Sequence, residues 1–505
     1  MKSIFCSGIS IGAVTLSMAL PVSAEITAQQ LRDQLIGFYS SVGYQIDIGS
    51  ETSTGGAINL SDVTLSSDLG KSGRRIVIGG LAFNLVETGD GAVSLEIPQK
   101  TNLTVDLLVN GESRLTAKIM SDIQGFSGIV SGSFDDMKID TSADGSNIQL
   151  TSVNIRGNDF PMNFSLDTGA YTNVSTLKNL PDGRRSFSSD GSVQSLNLIA
   201  DAKEPGGPGA FSLSTQIGRL TSAFAADAKI SDDPLAMIAA GFSGSVALEA
   251  EKMATDFSFQ DKRQKIASTS SMEGGRFAFL ISPSEISYDF IERGVAISVS
   301  SSKLPFPTVG LGFDELQLSF GAPLAKSDTP QDFHIVAALR GLSVDDFLWA
   351  IFDGAKTIPR DPASVALDIT GKVRVLDNIM DPTTLATIDN PNQPPMLPVS
   401  FTVNELLASF GGALLTGDGA FKFDFTDPKT IGGVPLPSGE LNLSLTGGLG
   451  LLDKLSAIRL VPSDAATGVR AMLGVLARPV GEDAFESKIE VKPDGAVLAN
   501  GQKIR

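Results

Sequence analysis

Cysteine is all but missing from this 505-residue chain, and the single one, Cys6, falls within the first ten residues. Nothing after it can form a disulfide, a thiolate metal site or a cysteine nucleophile. Histidine is as scarce. With His334 alone, neither an HExxH zinc motif nor a histidine cluster can be assembled, and a Ser-His-Asp triad would depend on that one residue. His334 lies between Phe333 and Ile335 in an alternating stretch and reads as an ordinary strand residue. One Trp and four Tyr leave little aromatic surface on which a carbohydrate cleft could stack sugars. Basic runs are missing as well: Arg74-Arg75 and Arg184-Arg185 are isolated pairs. The chain carries 39 Lys and Arg against 57 Asp and Glu, a formal net charge of −18. Such a surface repels phosphate backbones and anionic head groups, which excludes nucleic-acid binding.

Motifs that carry chemistry are equally thin. There is no P-loop and no dinucleotide fingerprint after a strand. The one G-x-S-x-G match, Gly8 to Gly12, falls in an apolar leader and is a chance match. Asp140 to Gly145 has acids at calcium-loop positions one and five and Gly at six. Thr151 stands where the bidentate Glu belongs, so a polar hairpin turn is the expectation. Two of the many carboxylates could meet as a glycosidase pair, but no spacing in the sequence indicates which. No catalytic, cofactor-binding or metal-binding residue is assigned. The chain is expected to be non-enzymatic and to use no cofactor.

What is present begins with a leader. Lys2 is followed by a mostly apolar stretch from Ile4 to Leu20, then Pro21 and Val22-Ser23-Ala24. Residues 1–24 therefore read as a signal peptide cleaved after Ala24, which takes the formal charge from −18 to about −19 by loss of Lys2. The alternative is an uncleaved anchor, because about 17 apolar residues nearly span a bilayer. Cys6 has no small-residue lipobox before it. No later run is long enough to cross a membrane as a helix, so the mature chain is not expected to be an integral helical membrane protein.

Over the whole chain, apolar residues make up 42% and charged residues 19%, with 52 Gly and 28 Phe. This profile suits many short strands joined by turns. Thr27 to Gln30 is a capping box opening an amphipathic helix with Leu31, Leu35, Ile36, Phe38 and Tyr39, expected to plug the end of a sheet. Period-two alternation then dominates: Leu81, Phe83 and Leu85 share a face, as do Leu103, Val105, Leu107 and Val109. A change of phase near Ser152 predicts a bulge. Short helices are expected from Asp232-Asp233-Pro234 to Gly241 and from Ser343, as cap, to Phe352. Val365, Leu367, Ile369, Val373 and Val375 form one strand face. Phe421, Phe423 and Phe425 form another, and Leu441, Leu443 and Leu445 a third. Two helices follow, carrying Leu451 to Ile458 and Ala465 to Leu476, and a hairpin around Pro493-Asp494-Gly495 closes the chain. Ala202 to Gly209 and Asn390 to Pro395 are the candidate boundaries. They divide the chain into 1–24, a helix plus β region at 25–205, a middle β region at 206–390, and a β and helical-hairpin region at 396–505.

Three stretches carry a resemblance together. Phe347 to Asp353 leads to Ile358-Pro359-Arg360-Asp361-Pro362-Ala363 and a strand with Asp368 and Gly371. The leucine-rich strand Gly439 to Thr446 precedes the two helices. The terminal Val491 to Val497 is followed by Asn500-Gly501. This order resembles the family catalogued as domain of unknown function 2125, found in Gram-negative alphaproteobacteria, most closely over residues 300–505. The family supplies no catalytic residues; the leader 1–24 leads to an expected periplasmic location, or anchoring in the inner membrane if it is not cleaved. The family is loosely similar to AsmA-like envelope proteins, which implies long amphipathic sheets curling into an apolar groove for lipid. The expected fold is mainly β with a few short helices, in long curved antiparallel sheets, AsmA-like or sandwich-like. Trp349, Pro359, Arg360 and Asp361 are expected to be structural: Trp349 anchors its helix to the sheet, and Arg360 pairs with Asp361. The functional expectation is a groove binding lipid or another envelope component. Its competitors are a closed core, a scaffold with protein partners only, and a carboxylate-dependent hydrolase.

Overall fold

The computed structural model describes residues 26–505 except 42, 71–72, 230, 232–233, 306–307, 389–393, 425–429 and 432–433. The leader with Cys6, Asp232, Asp233, Phe425 and most of Asn390 to Pro395 lie outside the described residues. Among the described residues, no helix is long and apolar enough to cross a membrane. The chain folds as two units, Met1–Ile230 with Val246–Thr269 and Ser301–Pro305, and Ser231–Ser245 with Ser270–Ser300 and Phe306–Arg505. Both are mainly β and antiparallel.

The first unit opens with α1 (Ala28–Ser41), β1 (Gln45–Thr54), β2 (Ala57–Asp68), β3 (Arg74–Glu87) and β4 (Val93–Glu96). It continues through β5 (Lys100–Val109), β6 (Glu112–Gln124), β7 (Ser127–Ser133), β8 (Asp136–Ala143), β9 (Gly145–Ile155) and β10 (Asn158–Asp159). Then come β11 (Met162–Thr168), β12 (Tyr171–Asn179), β13 (Arg185–Val193), β14 (Leu196–Lys203), β15 (Ala210–Ile217) and β16 (Leu220–Ala228). Strand β3 is a fork. Its first half, Arg74 to Gly79, pairs with β5, and its last residues, Asn84 to Glu87, pair with β4. Gly80 marks the split with φ +89°, where a Cβ would lie 2.3 Å from the Asn102 carbonyl oxygen; only glycine fits there. One ladder leaves the fork through β5, β6, β9, β11, β14 and β15, and the other through β4, β7, β8, β12, β13 and β16.

Helix α1 closes the fork. Its capping box forms as the sequence predicts: the Gln30 amide donates to Thr27 Oγ1 (3.1 Å) and the Thr27 amide to Gln30 Oε1 (3.0 Å). Ile26, Leu31 and Leu35 then join Leu60, Leu85, Val130, Met137 and Ile139 in one dry core. Each such side chain stabilises the fold by ~1.5–3 kcal/mol. The bulge is also present, centred on Thr151: Lys118 pairs with Ser152 and Ile119 with Leu150, which leaves Thr151 unpaired. Ala202 to Gly209 forms the turn of the β14–β15 hairpin, where the Glu204 carboxylate accepts from the Gly209 amide (3.0 Å).

Helix α2 (Pro234–Ala239) belongs to the second unit and β18 (Met253–Gln260) to the first, while the division runs through β17 (Ser243–Ala250) and β19 (Lys265–Met272). The second unit is a meander of long strands: β20 (Gly274–Ile281), β21 (Glu285–Ser301), β22 (Val309–Pro323), β23 (Gln331–Val344), β24 (Ala363–Val375), β25 (Met396–Phe410) and β26 (Ala413–Phe423). After two short pieces, β27 (Thr430–Ile431) and β28 (Val434–Pro435), it resumes with β29 (Pro437–Thr446), β30 (Arg478–Gly481), β31 (Ala484–Val491), β32 (Val497–Ala499) and β33 (Gln502–Lys503). Four helices interrupt it: α3 (Asp346–Asp353), α4 (Pro382–Leu385), α5 (Gly448–Ala457) and α6 (Ser463–Leu476). Strands β20 to β26, β29 and β31 pair in that order.

Helix α3 begins later than its sequence pattern suggests. Ser343 is still a strand residue, paired with Gly312, and does not cap the helix. The β22 partner strand runs on past that point and holds Ser343 and Val344 in its ladder. Asp345, at the cap position, accepts from the Gly310 amide across the strands instead of from the helix.

Candidate functional site

Register partners in an antiparallel sheet point to the same face, so the pairing of the second unit sorts its side chains directly. One row runs Tyr288, Phe320, Ile335, Ile369, Val403, Gly419, Leu441 and Ile489. The next runs Phe290, Leu318, Ala337, Leu367, Leu406, Gly417 and Leu443, and the third Leu316, Leu339, Val365, Ala408, Leu415, Leu445 and Phe485. All three lie on one face; the first row is apolar across eight strands, the other two across seven, with Ser487 and Glu292 as their remaining partners. A bulge in β25 places Asp368 opposite Glu405 but Ile369 opposite Val403. It keeps Val403 and Leu406, three residues apart, on the same side.

The opposite face is polar and paired. Glu315 lies between Arg293 (3.3 Å) and Arg340 (3.7 Å), and Arg340 reaches Glu405 with both terminal nitrogens (3.0 and 2.6 Å). The Arg340 fork holds the Glu405 carboxyl below its ordinary pKa and raises its own. At the far edge, hydrogen bonds from Lys492 and Lys488 likewise lower Glu490. Lys488 also bridges Glu440, the register partner of Glu490. Glu405 and Glu490 are thereby held ionised, whereas a general acid requires a raised pKa.

The apolar face is covered at its margins and partly bare between them. Leu324, Val373, Val375 and Ile379 make a small buried core at one end. Helices α3, α5 and α6 gather at the other. Between them, Leu318 is 42% exposed, Phe320 and Ile335 38% each, and Val365 55%, while Val403 in the same rows is buried. A cavity of about 390 Å³ opens beside Val365, lined by Leu339, Ala408, Phe410, Leu415, Leu445 and Leu451. A second, of about 350 Å³, lies under the helical hairpin between Leu415, Leu445, Leu452, Met472, Leu476 and Phe485.

Trp349 borders the first cavity through Phe410, on which its ring stacks (5.6 Å between centroids, 17°). It is an anchor to the sheet, as its helix position predicts. The Arg360 guanidinium lies 4.5 Å from the indole centroid. Arg360 does not pair with Asp361: its partner is the buried Asp353, at 2.9 Å from the carboxylate and 2.8 Å from the carbonyl. The reason is geometric. The chain turns back after α3, and Asp353, seven residues earlier, also accepts from the Thr357 and Ile358 amides (2.8 and 2.9 Å). Burial pushes the Asp353 carboxyl up, but those amides and Arg360 outweigh it and hold the pKa below its ordinary value.

Helix α5 has no local side-chain cap. Gly447 turns the chain at φ +68°, and the Asp483 carboxylate, brought in by the turn before β31, accepts from the Leu449 and Gly450 amides (2.8 Å each). The other residues singled out from the sequence do not converge on this region. His334 is exposed on β23, and Asp140 lies within β8 while Gly145 begins β9.

A family model described as an uncharacterized protein conserved in bacteria (DUF2125) matches residues 218–500, more than half of the chain and nearly all of the second unit. No curated protein matches the chain.

Proposed function

The chain belongs to that uncharacterised bacterial family, DUF2125, and since the family brings no activity with it, we propose from the site's chemistry that this is an exported, non-enzymatic lipid-binding protein of the periplasm. The observation that carries the reading is the bare middle of the β21–β26 face, where Leu318, Phe320, Ile335 and Val365 lie exposed on one side of a paired sheet. Scattered exposed apolar residues are normal, but a contiguous patch of them signals a binding surface. The two cavities fall in the range of ~300–1,000 Å³ typical of small-molecule pockets, and their walls are almost wholly hydrocarbon. Export and a periplasmic site of action rest on the leader-like pattern of residues 1–24.

The hydrolase alternative lacks support from the facing carboxylates, which are neutralised by Arg340 and Lys488 rather than poised as acid and base. The scaffold alternative draws on helix α6, where Val469, Met472 and Val475 are 49%, 62% and 60% exposed. A hydrophobic fluorescent dye titrated into the folded protein separates the readings. The lipid reading expects saturable binding that a fatty acid displaces. Absence of dye binding, or binding that no lipid displaces, would favour protein partners on α6.

A further inference from the structure

We propose that the two cavities are successive chambers of one track for a single hydrocarbon chain, divided by the Leu415–Leu445 pair and roofed there by α5. This rests on the lipid-binding reading above and specifies its ligand. Leu415 on β26 and Leu445 on β29 are register partners on the apolar face, and both line both cavities. Helix α5 contributes Leu451 to the first chamber and Leu449 and Leu452 to the second. Its first residue, Gly448, sits so close to Leu445 that a Cβ would lie 2.7 Å from Leu445 Cδ2. The roof over the dividing pair is therefore α5 itself, held at its start by the Asp483 cap from a distant turn.

Size and charge select the ligand. If each methylene takes about the ~30 Å³ share of a water molecule, each chamber holds about a dozen carbons, and the two together about twice that. The first chamber opens at Val365, on the exposed middle of the face, and the second beside Met472. Neither wall carries a Lys or Arg; the polar residues on them include Ser364, Ser409, Ser487 and Glu486. A phosphate or carboxylate brought inside would stay unpaired at high cost. The head group therefore remains in solvent and only the chain enters.

The test is a length series of neutral 1-monoacylglycerols, from about eight to about twenty carbons, titrated against the full chain with Trp349 emission as readout. One continuous track predicts affinity rising about fourfold per methylene through a dozen carbons and on toward twenty. A plateau at about a dozen carbons overturns the proposal while leaving lipid binding intact. No binding at any length removes the lipid reading itself, a distinguishable failure. Leu415→Trp narrows the passage and is expected to abolish the gain beyond a dozen carbons while short chains bind within about twofold of wild type. Met472→Trp, at an exposed residue lining the second chamber, should shorten the gain in the same way. An undiminished long-chain gain in Met472→Trp overturns the proposal whether or not Leu415→Trp folds.

Discussion

Replacing Val365 by Asp and, separately, by Asn isolates the effect of one charge in the middle of the apolar face. The two side chains are nearly isosteric, so lost packing and strand propensity cancel between them. Val365 is 55% exposed, between Leu339 and Ala408 in register. On a face open to water the Asp carboxylate stays hydrated, and the two variants should differ by no more than ~0.5 kcal/mol. For a folding unit of this size that is a Tm difference of about 1–2 °C. Were the face closed, an unpaired carboxylate would be buried and the difference would be about 3–5 kcal/mol, roughly 6–20 °C. The pH dependence adds a second discriminant. Burial would raise the folded pKa of the new Asp, so the deficit would be absent below the unfolded value of ~3.9 and grow as pH rises above it. An open face predicts no such growth. Binding responds in the opposite manner: a bound chain covers the charge, so Val365→Asp should weaken monoacylglycerol affinity by about two orders of magnitude relative to Val365→Asn, some 3 kcal/mol. Thermal scans and titrations of both variants suffice, and a large, pH-dependent stability gap would refute the open face.

Met137, fully buried beneath α1, should lose about 2–5 kcal/mol on replacement by Ala, because the fork core leaves a cavity behind; a neutral result in denaturant unfolding would mean that α1 does not seal that core. Trp349 is the only tryptophan in the chain, so its emission reports on the Asp353–Arg360 pairing. Asp353 has a lowered folded pKa. Its contribution is thus complete above the ordinary carboxylate value and is lost as pH falls through the folded one, and the emission should change only in that acid window. Arg360→Lys, which cannot form the same fork, should move the change to higher pH, and an unmoved transition would contradict the pairing. Gly371→Val should destabilise the sheet by about 1–3 kcal/mol, since a Cβ there meets the Ser400 carbonyl at 2.4 Å and the Phe333 ring at 2.5 Å; unchanged stability in a thermal scan would contradict that packing.

Local pattern carried much of this architecture. The alternation of Val365, Leu367 and Ile369, and of Leu441, Leu443 and Leu445, names the apolar face correctly, and Thr27 with Gln30 names the first helix. What escaped depends on partners distant in sequence. The β3 fork arises because β5 and β4 compete for different halves of one strand, and only Gly80 hints at it. Val403 and Leu406 share a face through a bulge that period-two counting cannot detect. Helix α5 is capped by Asp483, thirty-odd residues onward, and Ser343 is held in a ladder by Gly312 rather than capping α3. Arg360 chose Asp353 over its neighbour Asp361 because the turn after α3 folds back. The openness of the site is of the same kind: whether Val365 meets water or protein is decided by what stands opposite it in space.

The central claim is that the apolar face of the second unit holds a lipid chain. Native mass spectrometry of the protein purified from its own host, with parallel lipid extraction, tests it most directly. The account predicts a stoichiometric adduct with the mass of a long-chain lipid, lost in Val365→Asp and recovered in the organic extract. A clean apo mass with no lipid recovered, from protein that remains folded, would contradict it.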